Sequence, residues 1–394
     1  MQTLLPQLLQ RVDRDRLRDQ TMAMVQIPSK TGDGVAISEY HAEQVRALGL
    51  PVEIIADGYP ESPSTVARWG QAEGGKTLTL DGHLDTIHAD HVPPYIDGGR
   101  IYGRGSGDMK AGVAAMVEAT RVLIESGIEL GGNLILFTHT LHEAPVGHME
   151  ALRAALARGD IFFDAAIVAE SGFDTVHVAG KGQAIFDIEV TREGDALHEN
   201  VARPQGVPNP VDQAVRIAAA ILERDRALSN FGHPLLGPET FFLGQVHGGD
   251  FFNRLPNRAY INGIHRYWPD KDWDDVDRRL EQLIRNVPCH PDLTVSWTRG
   301  GNGLGYDVGE DAEIVQALRQ GYQQVVGREL PVSGSLSVCD VNVIAREGGI
   351  PAVAHGTGST TAHADLEWVE IDHIVRATKV FIATIVNYLG LAGG

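Results

Sequence analysis

Five short stretches place histidines and carboxylates where an apolar run gives way to polar or glycine-rich sequence. "DGHLDTIH" supplies His83 and Asp85, and "GRGSGDMKAG" supplies Asp108. "LILFTHTLHEAPVG" ends in His142 and Glu143, "VAESG" in Glu170, and "GTGSTTAHADLE" carries His363. A charge is costly to bury without a partner, so acidic groups gathered at the exits of buried runs call for something positive. His83, His363, Asp108, Glu143 and Glu170 offer the nitrogen and oxygen donors that suit zinc or a similar divalent ion. Asp85, two residues from His83, is placed to accept the second ring N–H of that histidine and fix its tautomer. Asp108 has two further readings. A glycine-rich loop before a helix could cradle a phosphate, although an aspartate in it would repel one, and Asp favours helix caps.

These residues need a scaffold that brings strand exits together. Apolar runs at Lys76, Asn133, Ala165 and Pro351 alternate with helical patterns such as 109–125 and 149–157. That alternation predicts an α/β sheet covered by helices, in which ligands sit beyond the carboxyl ends of the strands. The middle of the chain reads differently. "QAIFDIEVTREG" alternates like a half-exposed strand, and a helix is expected over about 210–228 with Val211, Ala214, Val215 and Ile217 on its apolar side. "TFFLGQVHGG" and "RAYINGIHRYW" read as strands, a helix follows over about 273–287, and "DLTVSWT" closes the set. The order β-α-β-β-α-β is ferredoxin-like. The expected division is a discontinuous catalytic domain, 1–180 and 300–394, interrupted by an α+β domain over 181–299.

Composition narrows the rest. A formal charge of −19 argues against nucleic acid or an anionic membrane as partner. No run approaches a membrane span, and the N-terminus lacks the form of a signal peptide. Cys289 and Cys339 are the two cysteines of 394 residues, too few for a disulfide framework and in keeping with a reducing cytoplasm.

"GHLDT", "GRGSGDMKAG", "HEAPVG", "AES" and "GTGSTTAHADLEWV" resemble, in order and spacing, the co-catalytic zinc amidohydrolases and metallopeptidases. That family includes acetylornithine deacetylase, succinyl-diaminopimelate desuccinylase, aminoacylase and carboxypeptidase G. The resemblance covers nearly the whole chain. It implies a phosphorylase/hydrolase-like zinc-peptidase domain with a mixed sheet, and an inserted lid and dimerisation domain. Asp108 would bridge two zinc ions, with His83 and Glu170 on one and Glu143 and His363 on the other; cobalt or manganese would suit the same ligands. A cis peptide would follow Asp108. Asp85 would support His83. His198 would cross to a partner subunit of a homodimer and donate to the oxyanion, while Asn253 and Arg266 would hold the polar end and the carboxylate of a small substrate. The implied reaction is hydrolysis of an N-acyl amino acid or small peptide by water activated between the metals.

One position departs from the pattern. The family reads Glu-Glu where this chain has His142-Glu143, and the first Glu is its general base. His142 is then a base itself, a ligand to metal or substrate beside a different base, or the mark of a non-catalytic binding relative. His139 and His148 read as structural or rim residues.

Overall fold

The computed structural model describes residues 4–56, 58–70, 72 and 74–392. The chain forms two units: Met1–Val178, Asp307–Gly334 and Cys339–Gly394 make the first, and Ala179–Tyr306 with Ser335–Val338 the second.

The first unit is built on a six-stranded mixed sheet. Its order is Val52–Ile55, Ser64–Trp69, Asn133–His139, Thr77–His83, Ala165–Val168 and Ala352–Ala354. The last four run parallel to one another, and Ser64–Trp69 is antiparallel to both of its neighbours. "LTLDGH" and "LILFTH" are continuous apolar runs because both faces of the sheet are covered, and every residue from Leu78 to His83 and from Leu134 to His139 is buried. Register does the positioning. His83 lies opposite His139 across one ladder, and Asp81 opposite Val168 across the other. Three strands therefore end in one row, with His83 in the middle.

The helix Ala111–Glu125 packs on this sheet with twelve of its fifteen residues buried. Its approach requires glycine: a Cβ on Gly112 would stand 1.8 Å from the carbonyl oxygen of Ala169. The periodicity predicts a helix from Met109, but the helix starts at Ala111. Residues Ser106–Lys110 form a wide turn in which Asp108 has extended backbone (φ −132°, ψ 95°). The Asp108–Met109 peptide is cis. Asp108 caps nothing: the helix N-cap position is Lys110, with no side-chain cap bond.

The second unit contains the order β-α-β-β-α-β. Its strands are Gly182–Arg192, Thr240–Gly248, Arg258–Tyr267 and Leu293–Gly303, with helices Pro210–Leu228 and Trp273–Arg285 between them. The sheet is antiparallel, with Gly182–Arg192 between Arg258–Tyr267 and Leu293–Gly303, and Thr240–Gly248 at an edge. Phe186, Ile188 and Val190 alternate into a core completed by Ala214, Ile217, Ile221, Leu280 and Ile284. Val215, expected on the apolar side of its helix, is 55% exposed. Two boundaries differ from the sequence expectation. The last strand continues to Gly303 rather than ending by 299. Ser335–Val338 also belong here, since the Lys181 N–H donates to the Ser335 carbonyl and Arg266 to the Leu336 carbonyl.

Among the described residues no helix is long and apolar enough to cross a membrane.

Candidate metal centre

All six of the first unit's sequence-predicted positions, and His142 with them, converge beyond the row of strand ends. His83 terminates its strand, Glu170 follows Ala165–Val168 by two residues, and Glu143 follows Asn133–His139 by four. Asp108 reaches the same place from the wide turn. His363 comes from the loop before Trp368–Glu370 with a backbone φ of +63°, a conformation rare outside glycine.

Asp108 is the hub. Its Oδ1 lies 3.2 Å from His83 Nε2, and its Oδ2 lies 3.3 Å from His363 Nε2. His83 Nε2 is also 3.7 Å from Glu170 Oε2, and His363 Nε2 is 2.9 Å from Glu143 Oε1. One carboxylate thus faces two clusters with one oxygen each: His83 with Glu170, and His363 with Glu143.

The electrostatics show what the cluster lacks. Burial alone would lower His83, yet Asp108, Asp85 and Glu143 outweigh it and hold the imidazole well above its ordinary range. Hydrogen bonds to Asp108 and Glu143 push His363 up to about 10. Burial and the charge of Asp108 raise Glu170 to about 7, and Glu170 Oε2 is buried with no hydrogen-bond partner. A crowd of carboxylates that raises its imidazoles and leaves an oxygen orphaned is a site short of positive charge. Divalent cations fit that deficit and this donor set.

Asp85 departs from expectation. His83 Nδ1 donates to the backbone carbonyl of Asp85 at 3.1 Å, whereas its distance to the Asp85 carboxylate is 3.6 Å. The carboxylate Oδ2 instead accepts the backbone N–H groups of His142 and Glu143, at 3.0 and 2.9 Å. The aspartate supports His83 through its main chain and holds the next strand's exit turn with its side chain. The reason is that the strand stops at His83, so the two residues do not share its pleat.

The phosphate reading of "GRGSG" fails on an internal contact. The N–H groups of Gly105, Gly107 and Asp108 all donate to the Glu367 carboxylate, at 3.0, 2.9 and 3.0 Å. Arg104 completes the arrangement at 3.0 Å. The cradle is filled by the protein's own anion.

Three residues here were not read as part of the site. Asp340, fully buried, lies 3.0 Å from His139 Nε2 and 2.9 Å from His142 Nδ1. His139, read as structural or rim, is fully buried beneath the cluster. Glu367 lies inside a quoted motif, but nothing local marks it as the loop's organiser. An Asp inside the apolar stretch "VCDVNVIA" is the one available signal for Asp340, since a carboxylate there needs a partner.

The remaining predicted residues lie in the second unit. His198 Nδ1 accepts from the Asn200 N–H at 3.2 Å, and its Nε2 is 3.1 Å from Asn253 Nδ2. Arg266 donates to the Leu336 carbonyl at 2.9 Å, and no ion pair among the described residues involves it.

The chain is similar to known proteins over nearly its whole length. The sequence pattern of "Peptidase family M20/M25/M40" matches residues 79–387. The chain is 25% identical over 433 residues to the N-formyl-4-amino-5-aminomethyl-2-methylpyrimidine deformylase of Halalkalibacterium halodurans, covering 99% of this chain and 98% of that one. It is 26% identical over 399 residues to the succinyl-diaminopimelate desuccinylase of Acidovorax ebreus, covering 95% and 98%. Its fold is similar to that of an M20 family metallo-carboxypeptidase from Sulfolobus solfataricus, with a TM-score of 0.77, 18% identity, and coverage of 95% and 99%.

Proposed function

The chain belongs to peptidase family M20/M25/M40 and is a metal-dependent hydrolase of amide bonds; from that premise we propose that it cleaves an N-acyl amino acid or small peptide with a free carboxylate, using two zinc ions. The observation that carries the reading is Asp108 offering one oxygen to each of two donor clusters. His83, Asp108 and Glu170 would hold one ion, and Asp108, Glu143 and His363 the other. A divalent pair held there would supply Lewis acidity, polarising a carbonyl and lowering the pKa of water towards about 7.

The protein's own groups supply the rest. The Asp85 main chain orients His83, and its side chain fixes the turn that carries His142 and Glu143. His142 is assigned to carry a proton from the attacking water to the departing nitrogen, a task that imidazole suits near neutral pH. In the second unit, His198 Nδ1 accepts the Asn200 backbone N–H, and its Nε2 meets the side-chain amide of Asn253 at 3.1 Å. His198 is assigned, on the family resemblance, as a donor to the developing oxyanion, delivered across a homodimer by a lid and dimerisation domain. Arg266, free of acidic partners among the described residues, suits the substrate carboxylate, and Asn253 its polar end. Cys289 and Cys339 are both unpaired, which supports a cytoplasmic setting.

The test is a panel of acetyl, succinyl, formyl and peptidyl amino acids, each with its carboxylate free or amidated. Activity should vanish on chelation, return with zinc, cobalt or manganese, and require the free carboxylate. Turnover indifferent to a chelator, or equal on amidated substrates, would refute the proposal.

A further inference from the structure

His142 occupies a position where a carboxylate is usual, so something must compensate for an imidazole's different shape and its single free lone pair. The structure shows how the ring is held. Its backbone N–H is bound by Asp85 Oδ2 at 3.0 Å. Its face lies flat on His83, with centroids 4.0 Å apart and planes within 9°. Its Nδ1 meets Asp340 Oδ1 at 2.9 Å. The other oxygen of Asp340 is taken by His139 Nε2 at 3.0 Å. Asp340 and His139 are fully buried, so neither can trade these contacts for water.

With Nδ1 turned to Asp340, Nε2 is the ring atom left for chemistry. A ring nitrogen of His142 lies within 4.8 Å of a donor atom of His83 and one of Glu170. That proximity suggests joint coordination of one ion, but the stacking argues otherwise. Lone pairs of imidazole nitrogens lie in the ring plane, and two parallel rings 4.0 Å apart send theirs side by side rather than to a common point. His142 therefore faces the metal cleft without being built as a ligand.

We propose that Asp340 is a positioning residue: it accepts the Nδ1–H of His142, fixes the tautomer, and so presents the Nε2 lone pair to the cleft in place of the usual carboxylate. His139 braces Asp340 from behind. This is the arrangement by which a buried aspartate holds a catalytic histidine in the working tautomer, assembled here from residues 198 positions apart. It rests on the hydrolase reading above and adds the residue that makes His142 usable.

The experiment uses zinc-loaded protein labelled with 15N-histidine. The ring-nitrogen spectrum should show His142 protonated at Nδ1 and bare at Nε2. In Asp340→Asn the side chain offers one oxygen and one N–H₂ to two rings that each donated, so one ring must change tautomer. We expect kcat to fall by about 10²–10⁴-fold, with KM and zinc content unchanged. His142→Ala should lose rate to a similar extent, and adding Asp340→Asn to it should cost nothing more. His139→Gln, which keeps an N–H for Asp340, should stay within about tenfold of the parent.

Three results would overturn the proposal: a wild-type His142 protonated at Nε2, an unchanged rate in Asp340→Asn, or a rate loss matched by zinc loss. The wild-type spectrum decides even if Asp340→Asn fails to fold. A wild type inert on every amide would count against the substrate class, while the tautomer, read without substrate, would be judged separately.

Discussion

Glu367 offers the sharpest check on how Asp108 is held in the proposed metal site. Its side chain is essentially fully buried and accepts four hydrogen bonds. Oε2 takes Gly105 N–H and Arg104, and Oε1 takes Gly107 N–H and Asp108 N–H. Burial pushes its carboxyl above the ordinary range, while these backbone donors pull it back. Glu367→Gln keeps the volume but replaces one acceptor by a donor. Whichever way the amide turns, its N–H₂ group faces two existing donors: the Gly107 and Asp108 amides on one side, or the Gly105 amide and Arg104 on the other. Two charge-assisted bonds at roughly 1.5–3 kcal/mol each are lost, and the stranded donors add to the cost. Relaxation of the loop returns part of it, so about 3–5 kcal/mol is expected, as for breaking a buried ion pair. At about 1.4 kcal/mol per decade, local opening should become roughly 10²–10⁴ times more frequent. Hydrogen exchange at Gly105, Gly107 and Asp108 reads this directly, and metal affinity should fall with it because Asp108 loses its backbone anchor. Wild-type protection of these amides in Glu367→Gln would refute the claim that this carboxylate organises the loop.

Two further outcomes follow from the geometry. Glu143→Gln removes a buried donor that meets His363 at 2.9 Å; metal affinity should drop by at least about 100-fold, since even residues behind the ligands are worth about 10–100-fold, and activity should fall with it. Full metal content and rate in that variant would dismiss Glu143 as a ligand. His41 is buried between Thr65 and Thr138, and burial pushes it down to about 4. Its folded pKa is below the unfolded value of about 6.5, so the unfolded chain binds more protons below that pH. The stability is complete above about pH 6.5 and is lost as pH falls towards 4, amounting to about 2 kcal/mol at pH 5. Denaturant titrations at pH 7.5 and pH 5 should show that difference shrinking in His41→Gln; an unchanged difference would mean His41 does not set it.

What could be read from the sequence was whatever is written locally. His83, Glu143 and Glu170 announce themselves because each stands just past an apolar run, and parallel register then carries all three to one row without further information. The alternation of Phe186, Ile188 and Val190 exposes the second unit's half-buried sheet in the same way. Partnerships across long separations are a different kind of quantity. The side chains of Asp85, Glu367 and Asp340 each answer a donor far along the chain, at separations of 57, 260 and 198 residues. Nothing in their neighbours encodes the choice. The consequence bears on His142: judged against a motif, an imidazole for a carboxylate looks like a loss of function. Judged against the structure, it comes with a second histidine, His139, and one buried aspartate that meets both rings. A decaying site has no reason to keep a buried carboxylate satisfied by two imidazoles, because each unmade contact would cost about 1–3 kcal/mol or more. The cost of burying Asp340 is therefore an argument that His142 is held in place for use.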